Sequence, residues 1–228
     1  TENLLMASVL AEGVTVIENA AREPEITDLA NFLSQMGAQI EGVGTSRLSI
    51  KGVETLTPVT YSVMPDRIEA ATYLSALAVC GGQIRLRGAR PDHMEMLLRK
   101  LEEMGMMLEE DDFGLGAKVT QRLKAVDVST LPYPGLATDY KPFLVAALTV
   151  ADGAGMVTEN IFAGRFRYID ELVRMGAEIR AEGRHAVVRG VERLSGAPVR
   201  AHDIRAGAAL VIAGLAADGE TVISNAHH

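Results

Sequence analysis

Two helical patterns of apolar residues alternate along this chain. Residues 4–10, 68–79, 143–150 and 206–217 are apolar around most of a helical circumference, the pattern of helices enclosed by other elements. Amphipathic segments follow them, each with one apolar stripe: Ile26, Leu29, Ala30, Leu33 and Met36; Met94, Leu97, Leu98, Leu101 and Met104; Ile169, Leu172, Val173 and Met175. Each stripe ends at a Met-Gly pair, closing on Gly37, Gly105 and Gly176, and glycine just past the last turn is a common helix stop. Short β-rich runs at 47–50, 83–86, 156–158 and 186–188 complete the set.

The order of these segments repeats. Asp66, Asp139 and Asp203 each precede an enclosed-type helix, and a glycine stands sixteen positions after each acid, at Gly82, Gly155 and Gly219. One supersecondary unit, β-α-β-α-β-β, is therefore used several times, which predicts an α/β fold with helices buried inside and half-exposed sheets outside. Gly13 opens the run 14–17 as Gly219 opens 220–223, but sixteen positions before Gly13 precedes Thr1, and no second helix follows Gly219. The expectation is a central piece of a longer protein, beginning and ending inside a repeat. Pro65 before Asp66-Arg67, preceded by a polar, Thr-rich stretch, places a domain crossover near residues 61–65, giving segments 1–63 and 64–228.

Composition narrows the partners. The 228 residues are 48% hydrophobic, ample for a core, and 30 acidic against 22 basic residues give a net charge of −8. With no basic tract, five Phe and five Tyr, neither phosphate-backbone binding nor base stacking is supported, so nucleic acid is not an expected partner. No apolar run approaches the roughly 18–20 residues that span a bilayer, so no membrane association is expected and the cytosol is the default location. A single cysteine rules out an internal disulfide and a Cys-rich metal site, and Cys80, ending an apolar helix, reads as a small buried filler. Neither His227 nor His228 reads as a metal ligand, and no metal or cofactor is expected.

The candidate chemistry lies where the copies differ. An Asp at a helix start normally caps it by accepting backbone N–H groups, and Asp139, after Ala137-Thr138, has this bland reading. Repetition, however, brings several helix N-termini toward one end, where anions bind. Arg67 and Arg205 sit just inside such N-termini, against the helix dipole, and need an anionic partner there. Arg165 stands in a glycine-containing loop between a strand and an amphipathic helix, where scaffold-held functional residues are common.

The runs Thr1-Glu2-Asn3-Leu4, Glu18-Asn19-Ala20-Ala21-Arg22-Glu23-Pro24-Glu25, Met64-Pro65-Asp66-Arg67-Ile68-Glu69, Ala137-Thr138-Asp139, Arg165-Phe166 and Leu194-Ser195-Gly196-Ala197 resemble the UDP-N-acetylglucosamine 1-carboxyvinyltransferase family of enolpyruvyl transferases. The resemblance covers the whole chain. It implies two domains of three βαβαββ units each, an inverse α/β barrel or prism with sheets outside. It also implies transfer of enolpyruvate from phosphoenolpyruvate to the 3-hydroxyl of UDP-N-acetylglucosamine, with release of phosphate, as the first committed step of peptidoglycan synthesis. On this resemblance Asp139 is the general base at the 3-hydroxyl, and Thr138, Ile161 and Phe162 lie against the nucleotide sugar. Arg165 and Arg205 hold the phosphoenolpyruvate-derived group, and Asp203 is a carboxylate beside it. The family's lysine, asparagine, further arginines and loop cysteine, the fosfomycin target, would all precede Thr1, and its Asp-Arg-Gly-Tyr-Glu motif would follow His228. Cys80 does not match that cysteine, so this piece is expected to be inactive alone. A shikimate-phosphate enzyme of the same class and a non-catalytic repeat module are the alternatives.

Overall fold

In the computed structural model, which describes residues 1–162 and 164–227, helices and strands succeed one another in the order the repeat dictates. The first unit, Thr1–Pro65, holds α1 (Glu2–Ser8), β1 (Val14–Glu18), α2 (Pro24–Gln35), β2 (Gln39–Glu41) and β3 (Arg47–Lys51). Its antiparallel sheet runs β1-β3-β2, and central β3 turns Leu48 and Ile50 into the core beside Leu5, Ala30 and Leu33. The chain divides between Pro65 and Asp66, against the expected 63/64.

The second unit begins with α3 (Arg67–Cys80), β4 (Gly82–Arg87), α4 (Glu95–Met104), β5 (Met107–Asp111) and β6 (Gly114–Val119). A second copy contains β7 (Val128–Ser129), α5 (Lys141–Leu148), β8 (Ala154–Thr158), α6 (Ile169–Arg174), β9 (Glu178–Glu182) and β10 (His185–Arg189). Then come β11 (Leu194–Ser195), β12 (Pro198–Arg200), α7 (Ile204–Leu215), β13 (Ala217–Asp218) and β14 (Val222–Ser224). The sheets are β4-β6-β5 and β7-β8-β10-β9, with parallel pairs β11-β13 and β12-β14. Helices α3, α5 and α7 pack against one another pairwise, and every residue of α5 is buried.

The three helices run in the same direction. Arg67 at the start of α3 donates to Tyr140 Oη at 3.0 Å, just before α5, and Arg205 at the start of α7 reaches Asp139. Their opposite ends line one cleft, through residues 78–80, 150–151 and 216. N-termini, with their partial positive charge, therefore gather at one mouth of this unit.

Backbone hydrogen bonds show how closely the copies agree. After each Met-Gly turn the amides of Ala38, Met106 and Ala177 donate to Leu33, Leu101 and Leu172, the Schellman closure, and Gly37, Gly105 and Gly176 all have positive φ. The carbonyls of Met36, Met104 and Met175 then each accept from a later segment, at Thr57, Lys124 and Ser195, all at 2.8 Å. Gly52 donates to Gly13 at 3.0 Å as Gly190 donates to Gly153 at 2.9 Å.

That last pair corrects the even spacing of sixteen. In the middle copy the turn glycine equivalent to Gly13 is Gly153, with φ of +100°, whereas Gly155 lies within β8. The helix is correspondingly shorter at its start: α5 begins after Tyr140, so Asp139 falls outside the capping position. Two further expectations fail. Cys80 is exposed rather than a buried filler, because α3 emerges from the helix cluster at its last residue. Partial desolvation pushes its thiol up from its ordinary value, the opposite of a reactive thiolate. Helix α1 and the turn after it leave Leu4, Met6 and Leu10 at 60%, 47% and 56% exposure, since no sister helix stands in the first unit, among its described residues, to enclose them. His228 lies outside the described residues, as does Ala163 in the loop carrying Arg165.

The crossing that closes each repeat sets a stability prediction. A Cβ on Gly190 would lie 1.7 Å from the Ala151 carbonyl oxygen and 3.0 Å from the same residue's amide nitrogen, all backbone. Gly190→Ala should lower unfolding free energy by about 3 kcal/mol, because two main chains must separate. Gly183→Ala, in open space with φ of +58°, should cost only about 1 kcal/mol of backbone strain. Urea unfolding of the two variants decides, and equal losses would contradict the packing assigned to Gly190.

Candidate functional site

Asp66 and Asp203 cap their helices as the sequence predicts: Asp66 Oδ1 accepts from the amides of Ile68 and Glu69, and Asp203 Oδ1 accepts from Ala206. Asp139 does neither. Its Oδ1 accepts from Arg205 Nε at 3.0 Å and pairs with Arg165 Nη2 at 3.4 Å. Its Oδ2 has no hydrogen bond among the described residues, and the side chain remains about one-third exposed, at 35%. The mouth thus holds a carboxylate with one oxygen fixed by two guanidinium groups and the other open.

A cleft of about 470 Å³ opens beside it, lined by Phe162, Arg165, Arg167, Tyr168, Asp203 and Arg205 with Pro142 and Gly164. Three guanidinium groups against one lining carboxylate, together with the N-termini of α5 and α7, suit an anionic ligand. A cleft of similar size, about 490 Å³, lies at the C-terminal ends of the three helices, where backbone carbonyls dominate and Arg122 donates to those of Val150, Ala151 and Val191. That end does not favour an anion.

The structure brings Thr138, Asp139, Arg165 and Arg205 into one hydrogen-bonded network, with Phe162 and Asp203 on the adjoining cleft wall. Ile161 enters through its backbone amide and is not part of that wall. Of the two arginines predicted to need anions, Arg205 meets Asp139; Arg67 is buried, donates to Tyr140 Oη, and its guanidinium carbon lies 5.7 and 5.6 Å from the ring centres of Tyr133 and Tyr140.

Sequence reasoning missed the group beneath this network. Glu159, just past β8, and Lys141, the first residue of α5, form an ion pair of 2.7 Å with neither side chain exposed to solvent. Glu159 Oε2 also accepts from Thr138 Oγ1 at 2.8 Å. Its Oε1 accepts from Thr130 Oγ1 at 2.7 Å and from the amides of Ile161 and Phe162 at 2.8 and 3.1 Å. Lys141 Nζ donates to the Arg165 carbonyl at 2.7 Å and lies 4.1 Å from the centre of the Phe166 ring. Burial by itself would push Glu159 up; the bonds from Lys141, Thr130, Thr138 and the Ile161 amide more than offset it and hold the carboxyl at about 2. Burial moves Lys141 down from its ordinary value, with Glu159 opposing. One signal was available: Lys141 is the only charge in the eight residues of α5 and stands at an N-terminus, where a cation is disfavoured without a partner. Tyr168, also missed, is a buried cleft residue whose hydroxyl has no hydrogen-bond partner among the described residues.

Among the described residues no group of three or more His, Cys, Asp or Glu could hold a metal ion, and no helix is long and apolar enough to cross a membrane.

Comparison with known proteins places this geometry in a family. The model of EPSP synthase (3-phosphoshikimate 1-carboxyvinyltransferase) matches residues 1–228. The UDP-N-acetylglucosamine 1-carboxyvinyltransferase of Nocardia farcinica is 52% identical over all of this chain and 54% of its own length. That of Mycobacterium leprae is 50% identical, again over all of this chain and 54% of its own length. The chain thus spans about half the length of the curated relatives it matches. Among solved structures, the enolpyruvyl transferase NikO from Streptomyces tendae superposes with a TM-score of 0.83 at 27% identity, over 99% of this chain and 54% of that one. EPSP synthase from Acinetobacter baumannii, at 22% identity and a TM-score of 0.73 over 98% of this chain and 55% of its own, shares the fold. With the repeated units, inner helices and outer sheets already described, these matches show that the chain belongs to the EPSP synthase family of carboxyvinyltransferases.

Proposed function

We propose that this chain forms part of an enzyme that transfers enolpyruvate from phosphoenolpyruvate to the 3-hydroxyl of UDP-N-acetylglucosamine. The observation that carries this reading is Asp139: released from the capping role of its sister acids, held through one oxygen by Arg165 and Arg205, and open at the other. Relatives at 50–52% identity bearing that name favour the sugar nucleotide over shikimate phosphate as acceptor.

In this reading Asp139 Oδ2 takes the proton of the sugar hydroxyl while the hydroxyl oxygen bonds to C2 of phosphoenolpyruvate. The methylene carbon is protonated by an acid supplied from the part of the enzyme that precedes this segment. Collapse returns a proton from the methyl carbon, breaks the bond from C2 to the phosphate oxygen and releases inorganic phosphate. Arg165 and Arg205 hold the carboxylate and phosphate of the reacting group and, by fixing Asp139, aim the base. Thr138, Ile161 and Phe162 stand on the sugar-nucleotide side, and Asp203 beside the reacting group. Residues 1–65 correspond to the last repeat unit of one domain and 66–228 to most of the second, in a cytoplasmic enzyme of peptidoglycan synthesis.

Two outcomes follow. The chain alone, lacking half the site, should release no phosphate from the two substrates, and steady turnover would contradict that. In the full-length enzyme carrying this segment, Asp139→Asn preserves shape and should lower kcat by about 10²–10⁴, the usual contribution of a positioned base, with little change in unfolding midpoint. Near-normal turnover would return Asp139 to a structural role.

A further inference from the structure

We propose that Glu159 is the positioning residue of this site: without touching ligand, it sets loop residues 160–162 and 164–166 and the Thr138 hydroxyl, and through them Arg165 and Asp139. The connections are continuous. The two oxygens of one buried carboxylate receive five donors, from Thr130 just after β7, Thr138 before α5, Lys141 in α5, and the amides of Ile161 and Phe162 in the loop. Because Thr138 spends its only hydroxyl proton on Glu159, its oxygen faces Arg165 as an acceptor, and Arg165 Nη1 donates to it at 3.2 Å. The next guanidinium nitrogen of Arg165 meets Asp139. Lys141, the counter-ion of Glu159, anchors the other end of the loop through the Arg165 carbonyl. The line Glu159, Thr138, Arg165, Asp139 thus runs from the interior to the open carboxylate oxygen.

A structural ion pair and a positioning acceptor predict different things, and two variants that both remove the buried charges separate them. Glu159→Gln with Lys141→Met keeps an acceptor oxygen for the Ile161 and Phe162 amides, whereas Glu159→Leu with Lys141→Met removes it. Amide exchange followed by mass spectrometry on peptides spanning residues 160–167 is the primary readout. The Gln variant should protect the loop nearly as wild type, and the Leu variant should exchange there at least about tenfold faster, the loss expected for hydrogen bonds to a buried group, with β8 and β10 unchanged. If the Leu variant fails to fold, Glu159→Asp replaces it: the shorter side chain keeps the charge opposite Lys141 but withdraws from the amides, and should loosen the loop in the same way. Loop protection unchanged in the Leu or Asp variant, or lost equally with Gln and Leu, overturns the proposal. Calorimetric titration of the full-length enzyme carrying this segment with UDP-N-acetylglucosamine forms a second arm that rests on the reading of the cleft given above. The Gln variant should match wild type, and the Leu or Asp variant should bind about tenfold more weakly. Wild type giving no saturable heat would count against the sugar reading alone, since the exchange arm decides the role of Glu159 without it.

Discussion

A carboxylate and an ammonium group, Glu159 and Lys141, meet at 2.7 Å where neither touches water, and the geometry of the mouth depends on that meeting. Burying either charge alone would be prohibitive, and removing one partner of such a pair costs about 3–5 kcal/mol because the other is stranded. The compensation is unusually full. Glu159 gathers two hydroxyls and two main-chain amides besides the lysine, and Lys141 adds a carbonyl and an aromatic face. These partners come from the residue after β7, the segment before α5, α5 itself and the loop after β8, so a single buried pair ties four pieces of chain into one register.

Site chemistry arises from a departure within a repeated framework. Three parallel helices bring their N-termini together, and two of the three preceding acids are used for capping. In the middle copy the helix begins after Tyr140, which leaves Asp139 unable to cap and free to meet the guanidinium groups of Arg165 and Arg205. Arg205, misplaced against the dipole of α7 as a lone cation, is acceptable because that carboxylate faces it. Repetition supplies the platform, and the change in helix start supplies a carboxylate that faces the mouth instead of capping.

Periodicity made the framework legible. The Met-Gly stops, amphipathic stripes and β-rich runs are local signals, and α4, α6, β3 and β10 lie where those signals place them. Asp139, Arg165 and Arg205 were legible as candidates through the resemblance and through the misfit of a cation at a helix start, though nothing local shows that they meet across separations of 26 and 66 residues. Glu159 was not legible, because its role depends on where β8 ends relative to α5, a tertiary fact. Spacing also misled: sixteen positions from Asp139 gives Gly155, while the backbone uses Gly153. Apolar content alone overstated the enclosure of α1 and of Cys80, since enclosure requires neighbours as well as sequence.

The most direct measurement is urea unfolding between pH 5 and pH 2, comparing wild type with the charge-free Glu159→Gln/Lys141→Met protein. Folding lowers the Glu159 carboxyl from 4.5 to about 2, so its stabilisation is complete above the unfolded value and is lost as pH falls through the folded one. Wild type should lose roughly 3 kcal/mol more than the variant across that window. Parallel pH profiles for the two proteins would contradict a carboxylate held ionised at the centre of the site.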